Sequence, residues 1–342
     1  MLETLKSGLD NLFISTLSAI IFAPIMISLL YKFNQVSGVK KTDLGEGKGT
    51  NALFLRIMNT QRTNGTPNMG GLLIWILIPF LAYLLIDITP VIKVLLIGFI
   101  LFGLWGFIDV AIFTNGSKDN ATFRALQETF WWRFGKLTVA IVITFFTMLL
   151  LYRTGEFNTL SFFEVFSIST TPLILIILSI IGQFAVYSAE LTDGLDGLMI
   201  GVFAVIDIAF TVLLLIQGQY TFIPILMIIL GVLVVDLYFN IPPARFWNGG
   251  PGAMPLGFTF FFIGIVTDNF IPYLCITGIT WAIMFSSMIQ LISMKFFKKR
   301  VFKIAPLHHH FQAVGWPQYK IVMRFWLFTA FACIVGIYLG IV

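Results

Sequence analysis

Leu198-Met199-Ile200-Gly201-Val202-Phe203-Ala204-Val205-Ile206-Asp207-Ile208-Ala209-Phe210-Thr211-Val212-Leu213-Leu214-Leu215-Ile216 holds a single charged side chain, Asp207, in a stretch otherwise dominated by large apolar residues. A helix that is hydrophobic all round has to be surrounded by lipid or by other helices. A bilayer core is crossed by about 20 such residues. The run to which this stretch belongs, 196–216, has nine counterparts, near 13–33, 70–88, 91–113, 137–152, 172–188, 221–239, 254–267, 271–294 and 321–342. Hydrophobic residues make up 58% of the 342 and charged residues 11%, and the mean hydropathy is +0.95. That is more apolar than a soluble domain of this length needs. The expected fold is all-α: a polytopic integral membrane protein of about ten transmembrane helices, forming a single domain over residues 1–342.

The first run is too long for a signal-peptide core and has no small-residue cleavage site, so it reads as a retained helix. Cys275 and Cys333 both lie inside apolar runs, which leaves neither a disulfide framework nor a thiolate metal site. No repeat of fixed period and no low-complexity tract interrupts the chain.

Charge orients the bundle. With both termini outside, all but Lys6, Lys93 and Arg153 of the 21 Lys and Arg fall in cytoplasmic loops, as the positive-inside rule requires. The long loops near 34–69, 114–136 and 295–320 share that face. The outer connection 153–171 carries Glu156 and Glu164. The basic excess serves either as topology signal and anionic-lipid attraction or as a vestibule for a phosphorylated substrate.

Polar clusters gather on the same face. Asp109 lies near the inner end of the third run, and a carboxylate at that depth is a functional candidate by default, with an interfacial acid reaching water as the alternative. Glu190, Asp193 and Asp196 are spaced by three where the sixth run is expected to begin, so they share a face if the turn is helical. Their alternative role there is helix capping. Asp236 and Asn240, four apart, line one face of the seventh run before Pro242-Pro243 ends it; pairing with a neighbouring helix is the other explanation of Asp236. Asp207 calls for either a buried hydrogen bond or a water-filled cavity. Asn64-Gly65-Thr66-Pro67-Asn68-Met69-Gly70-Gly71 and Trp247-Asn248-Gly249-Gly250-Pro251-Gly252-Ala253 read as tight turns or as glycine-rich segments open to close ligand approach. His308, His309 and His310 are consecutive; such rings are expected to point apart, which disfavours a zinc site. They suit phosphate contact or acid–base chemistry.

Gly65-Thr66-Pro67-Asn68-Met69-Gly70-Gly71, Gly106-Phe107-Ile108-Asp109, Leu191-Thr192-Asp193-Gly194-Leu195-Asp196-Gly197, Phe239-Asn240 with Pro243-Ala244, and Pro306-Leu307-His308-His309-His310-Phe311 with Gly315-Trp316-Pro317 occur in that order. In these segments the chain resembles the MraY family, the phospho-N-acetylmuramoyl-pentapeptide transferases of the polyprenyl-phosphate N-acetylhexosamine-1-phosphate transferases. The resemblance implies a cytoplasmic-facing cleft in a homodimer of the bacterial plasma membrane. It implies transfer of phospho-MurNAc-pentapeptide from UDP to undecaprenyl phosphate, with UMP release, lipid I formation and Mg²⁺, in peptidoglycan synthesis. The partners are then UDP-MurNAc-pentapeptide, undecaprenyl phosphate and the lipid bilayer, with no nucleic acid.

The resemblance assigns catalytic roles to Asp109, Asp193 and His308 and substrate contacts to Asn68, Leu191, Asp196, Asn240, Trp247 and His309. It also marks differences. The family's second paired acid is Val110 here, its magnesium-binding aspartate is Gly250, and the serine that follows is Ala253. Lysines of the family correspond to Thr63, beside Arg62, and to Phe113, and an asparagine corresponds to Glu190, a candidate replacement metal ligand. Because magnesium neutralises charge in phosphoryl transfer and takes one or two carboxylates beside its waters, a silent homologue that binds a UDP-sugar or polyprenyl phosphate is the alternative. A transporter is a third reading, since intramembrane acids mark ion pathways, though no paired inverted pattern is visible.

Overall fold

The computed structural model describes residues 2–33, 66–111, 130–157, 159–162 and 166–342. The expectations that fall on Arg62, Thr63, Asn64, Gly65 and Phe113 lie outside the described residues. In chain order the elements are α1 (Leu2–Lys32), α2 (Leu72–Leu85), α3 (Pro90–Val110), α4 (Phe130–Arg153), β1 (Thr159–Phe162), β2 (Phe166–Ser169), α5 (Pro172–Thr192) and α6 (Leu198–Gln217). They continue with α7 (Ile223–Asn240), α8 (Gly250–Val266), α9 (Phe270–Ile276), α10 (Gly278–Phe296), α11 (Leu307–Ala313) and α12 (Gln318–Ile341).

Among the described residues eight helices, α1, α3, α4, α5, α6, α7, α10 and α12, are long and apolar enough to cross a bilayer, and α2 and α8 are shorter apolar helices. These ten match the ten runs, with α4 beginning at Phe130, ahead of its run, and with three further differences. The first helix begins at Leu2, because Glu3, Lys6 and Asp10 add a polar start that hydropathy leaves out of the span. The ninth run breaks at Thr277 into α9 and α10. The connection between α4 and α5 holds an antiparallel hairpin, Thr159 opposite Ser169.

Local chemistry sets the helix starts. Thr89 and Thr171 each stand before a proline, and their hydroxyls accept from the Ile92 and Ile174 amides at 3.3 and 3.4 Å, the N-cap arrangement that proline at the first helical position complements. Within the apolar helices, hydroxyls turn back onto their own backbone: Ser179 to Leu175 O at 2.6 Å, Thr259 to Pro255 O at 2.8 Å and Thr329 to Phe325 O at 2.7 Å. Polar groups satisfied in this way are tolerated in lipid.

α8 is the hub. Gly250 through Ile265 are all buried, packed chiefly against α3 and α5, with Phe258, Phe260, Phe261 and Phe262 filling the centre. A helix covered on all sides by protein need not match the thickness of the bilayer. The perimeter carries bare apolar stripes, such as Phe13, Leu17, Ile20 and Ile21 on α1 and Leu327, Phe328, Phe331 and Ile334 on α12. Water would make exposed stripes of that extent costly, whereas lipid solvates them.

Candidate active site

Glu190 occupies the last turn of α5, Asp193 is its C-cap, and Asp196 stands in the turn that leads to α6. The three acids therefore end the fifth span and do not open the sixth. The correction matters, because a helix C-terminus carries partial negative charge and repels carboxylates. Capping does not account for them. Gly197, at φ +75°, makes the left-handed step into α6.

The loop between α7 and α8 closes over these acids. Trp247 donates its indole N–H to Asp196 Oδ1 at 3.0 Å, and the Gly249 amide donates to Asp193 Oδ2 at 2.6 Å. Asn240 uses both ends of its amide as a brace, accepting from Gly197 N and donating to Phe246 O, each at 2.9 Å. Asp236 accepts from Asn248 Nδ2 at 2.9 Å, so it serves the loop that follows its own helix, not a neighbouring helix as one expectation had it. The segment entering α2 joins the same loop: Trp247 N donates to Pro67 O, Gly70 N to Trp247 O and Gly71 N to Asn248 O, at 2.9, 2.8 and 3.1 Å. Asn68 is half-buried inside that pairing, and Leu191 is half-buried in the last turn of α5.

The histidines lie on α11, whose first amide, Leu307 N, donates to Ser286 Oγ of α10 at 2.9 Å. His308 is fully buried. Its ring takes the space beside Gly194, where a Cβ would lie 2.2 Å from Nε2. Neither of its ring nitrogens has a hydrogen-bond partner among the described residues. Burial first, and then the neighbouring His309, hold its pKa well below the ordinary histidine value, so His308 is a neutral imidazole. His309 Nδ1–H donates to Gln312 Oε1 at 2.6 Å, and His310 Nδ1 accepts from Lys303 N at 3.2 Å. The expectation that adjacent rings point apart fails for His308 and His309, whose rings meet edge to face with centroids 4.3 Å apart.

Asp109 lies buried at the end of α3 and is ion-paired with Lys136 of α4. Glu190 is within electrostatic reach of Lys136, Asp109 and Asp193. Burial raises the Asp193 pKa from 3.8 to about 6, against the lowering effect of the Gly249 amide and with a further upward push from Asp196.

The magnesium implied by the family resemblance does not fit this set of side chains. Val110 and Gly250, the two positions where acids are expected, lie at one helix crossing. A Cβ on Gly250 would fall 2.8 Å from Gly106 Cα, and a Cβ on Gly249 would fall 3.4 Å from Val110 Cγ2. Among the described residues no group of three or more His, Cys, Asp or Glu is placed to hold a metal ion.

Sequence reasoning did not single out Lys136, Asn248 or Trp326 as site residues. Trp326 of α12 donates to Gly197 O at 3.2 Å and so anchors the α5–α6 turn. The signal for Asn248 was its place beside Trp247, one turn-rich loop after Asp236. A lysine at the head of an apolar run gives no such signal until the helices are assembled. Asp207 is fully buried, and neither carboxylate oxygen has a hydrogen-bond partner among the described residues.

Residues 92–268 match the model of the family described as glycosyl transferase family 4. The phospho-N-acetylmuramoyl-pentapeptide-transferase of Anoxybacillus flavithermus is 33% identical over 294 residues, 82% of this chain and 86% of that protein. The protein of the same name from Shouchella clausii is 30% identical over 336 residues, 96% of each chain, and that of Bacillus subtilis is 30% identical over 286 residues, 82% and 86%. With these likenesses running across the α5–α6 turn and the α7–α8 loop that build the site, the chain belongs to glycosyl transferase family 4, among the phospho-N-acetylmuramoyl-pentapeptide-transferases.

Proposed function

We propose that this protein transfers phospho-MurNAc-pentapeptide from its UDP carrier to undecaprenyl phosphate at the cytoplasmic side of a bacterial plasma membrane, releasing UMP. The observation that carries this reading is the double closure of the α7–α8 loop on the acids, Trp247 on Asp196 and Gly249 on Asp193. The names and coverage of the relatives support it.

In the reaction a phosphate oxygen of undecaprenyl phosphate attacks the phosphorus that bears the sugar. The bond from that phosphorus to the bridging oxygen of UMP breaks, and the electron pair leaves with UMP. Trp247, fixed at its edge by Asp196, offers an indole face to the uracil ring, with Asn68 and Leu191 nearby. Asp193 takes the proton of a singly protonated polyprenyl phosphate, for which a carboxylate titrating near 6 is suited. His308, a neutral imidazole, donates one N–H to a phosphate oxygen, and His309, oriented by Gln312, contacts the sugar phosphate. Asn240 acts as a positioning residue through Gly197 and Phe246.

The test is purified protein in nanodiscs with UDP-MurNAc-pentapeptide and undecaprenyl phosphate, following UMP. Release of UMP that depends on the lipid phosphate is the expected result. Retained nucleotide binding without UMP release would select the silent homologue instead, a reading favoured only by the replacement of acids at Val110 and Gly250.

A further inference from the structure

Asp109 and Lys136 face each other against the preference of their own helices. Asp109 lies in the last turn of α3, at the negative end of that helix dipole, and Lys136 lies in the second turn of α4, near the positive end. Neither charge is there to serve its helix. The ion pair between them is what the placement achieves. Glu190, in the negative last turn of α5, is within reach of the same ammonium, and Asp193 follows at its C-cap.

We propose that the Lys136 ammonium is the resident cation of the Asp109 and Glu190 carboxylates, occupying the role that a divalent ion fills between paired acids. The inference rests on reading this end of the bundle as the transfer site. The two positions that would complete a metal's oxygen set are occupied by an isopropyl group, Val110, and by a helix crossing too tight for any side chain at Gly250. A divalent ion placed on Asp109 would also meet the ammonium that contacts the same carboxylate, and like charges at that distance repel strongly in a partly buried site. The Lys136 side chain stays 31% exposed while that of Asp109 is 10% exposed. The ammonium-bearing side chain is therefore the more accessible partner of the pair.

The probe is Mn²⁺ alone, with binding followed by its electron paramagnetic resonance signal on the full-length protein in nanodiscs. Wild-type protein is expected to bind no Mn²⁺ up to millimolar concentration and to show no change in unfolding temperature with EDTA. Lys136→Met, which frees the carboxylates, should gain at least tenfold in Mn²⁺ affinity, and Asp109→Asn in that background should remove the gain. Lys136→Arg keeps a cation in place and should stay metal-free, which keeps the test decisive if Lys136→Met does not fold. Wild-type protein that binds Mn²⁺ tightly, or a Lys136→Arg variant that does, overturns the proposal. These readouts do not depend on turnover: absence of UMP release would sink the transferase reading and leave the cation assignment to be decided by Mn²⁺ binding.

Discussion

The Gly249 amide donates to Asp193 Oδ2 at 2.6 Å, and Gly249 reaches that position only at φ +65°, ψ −167°. A side chain at such a φ strains the backbone, which is why glycine precedes α8. The bond ties the C-cap of one helix to the first residue before another, so the acid that ends α5 also sets where α8 begins.

Asp193 makes stability depend on pH in an unusual direction for an acid. Its folded pKa, about 6, lies above its ordinary 3.8. Between those values the folded state holds a proton that the unfolded state has lost, so stability falls as pH rises through that window. Asp193→Asn removes the ionisation but keeps an acceptor for Gly249. After discounting for its partial exposure, the variant is expected to be about 1–2 kcal/mol more stable than wild type at neutral pH. The difference should close below the ordinary carboxylate pKa, and transfer should fall at least about 100-fold, in the range of a lost acid–base group. Thermal unfolding at neutral and acidic pH checks this; a variant less stable than wild type at neutral pH would contradict it.

Trp247 is held by its indole edge, and in the proposed reaction its ring receives the uracil. Trp247→Phe loses the bond to Asp196 but keeps an aromatic face, and Trp247→Ala loses both. Stacking on a base is worth about 1–3 kcal/mol, so Trp247→Ala should weaken UDP binding about 10- to 100-fold and Trp247→Phe much less. Calorimetric titration with UDP separates the two. Equal losses would show that the Asp196 bond, and not stacking, carries the affinity.

Asn240 was legible as a polar residue sharing one face with Asp236 near the end of the seventh run, but its work was not. Spacing from Asp236 gives its face, and only the folded turn shows the Gly197 amide and Phe246 carbonyl that it joins. The same division runs through the molecule. Ten apolar runs could be read because lipid solvation depends on composition along one segment. The break at Thr277 and the polar start of α1 escaped because neither lowers the hydropathy of the run beside it. The burial of His308 was hidden in the most basic loop, since it depends on the absent side chain of Gly194. The Lys136 pair joins two helices separated by a long connection, and no local pattern encodes it.

Asn240→Ala would leave a buried amide and a buried carbonyl without partners, each worth about 1–3 kcal/mol. The variant is expected to unfold several degrees below wild type and to lose UDP affinity together with stability. Asn240→Asp keeps the acceptor for Gly197 and loses the donor to Phe246, so it should fall between the two. The ordering is read by thermal unfolding in detergent. An Asn240→Ala variant as stable as wild type would mean that the α5–α6 turn is held without this brace.

Asp207 stands alone in the interior of α6, with Thr211 one turn on and its hydroxyl also unpartnered among the described residues. A buried polar group with no hydrogen bond costs about 1–3 kcal/mol by mutational measures. Asp207→Leu, close in size, is therefore expected to raise the unfolding temperature while leaving UDP binding unchanged. A loss of stability would show that an ordered water satisfies the carboxylate.

The crossing of α3 and α8 makes a final prediction, about restoring acids at the two positions where the family resemblance expects them. Gly106 and Val110 lie one turn apart on α3 and face Gly250 and Gly249. A side chain at Gly250 has to push backbone against backbone, since its Cβ would meet Gly106 Cα at 2.8 Å and Gly106 O at 3.0 Å. Overpacking of that kind costs about 1–3 kcal/mol or more, and neither helix can give way without moving the Asp109–Lys136 pair. Val110 is only half-buried, so an added carboxylate there keeps access to solvent. Val110→Asp should therefore fold near wild-type stability, whereas Gly250→Asp should lose several degrees of unfolding temperature and migrate as a mixture on size exclusion. If Gly250→Asp is as stable as wild type, the two helices do not cross at Gly106 and Gly250, and the case against a metal at this end loses its steric half.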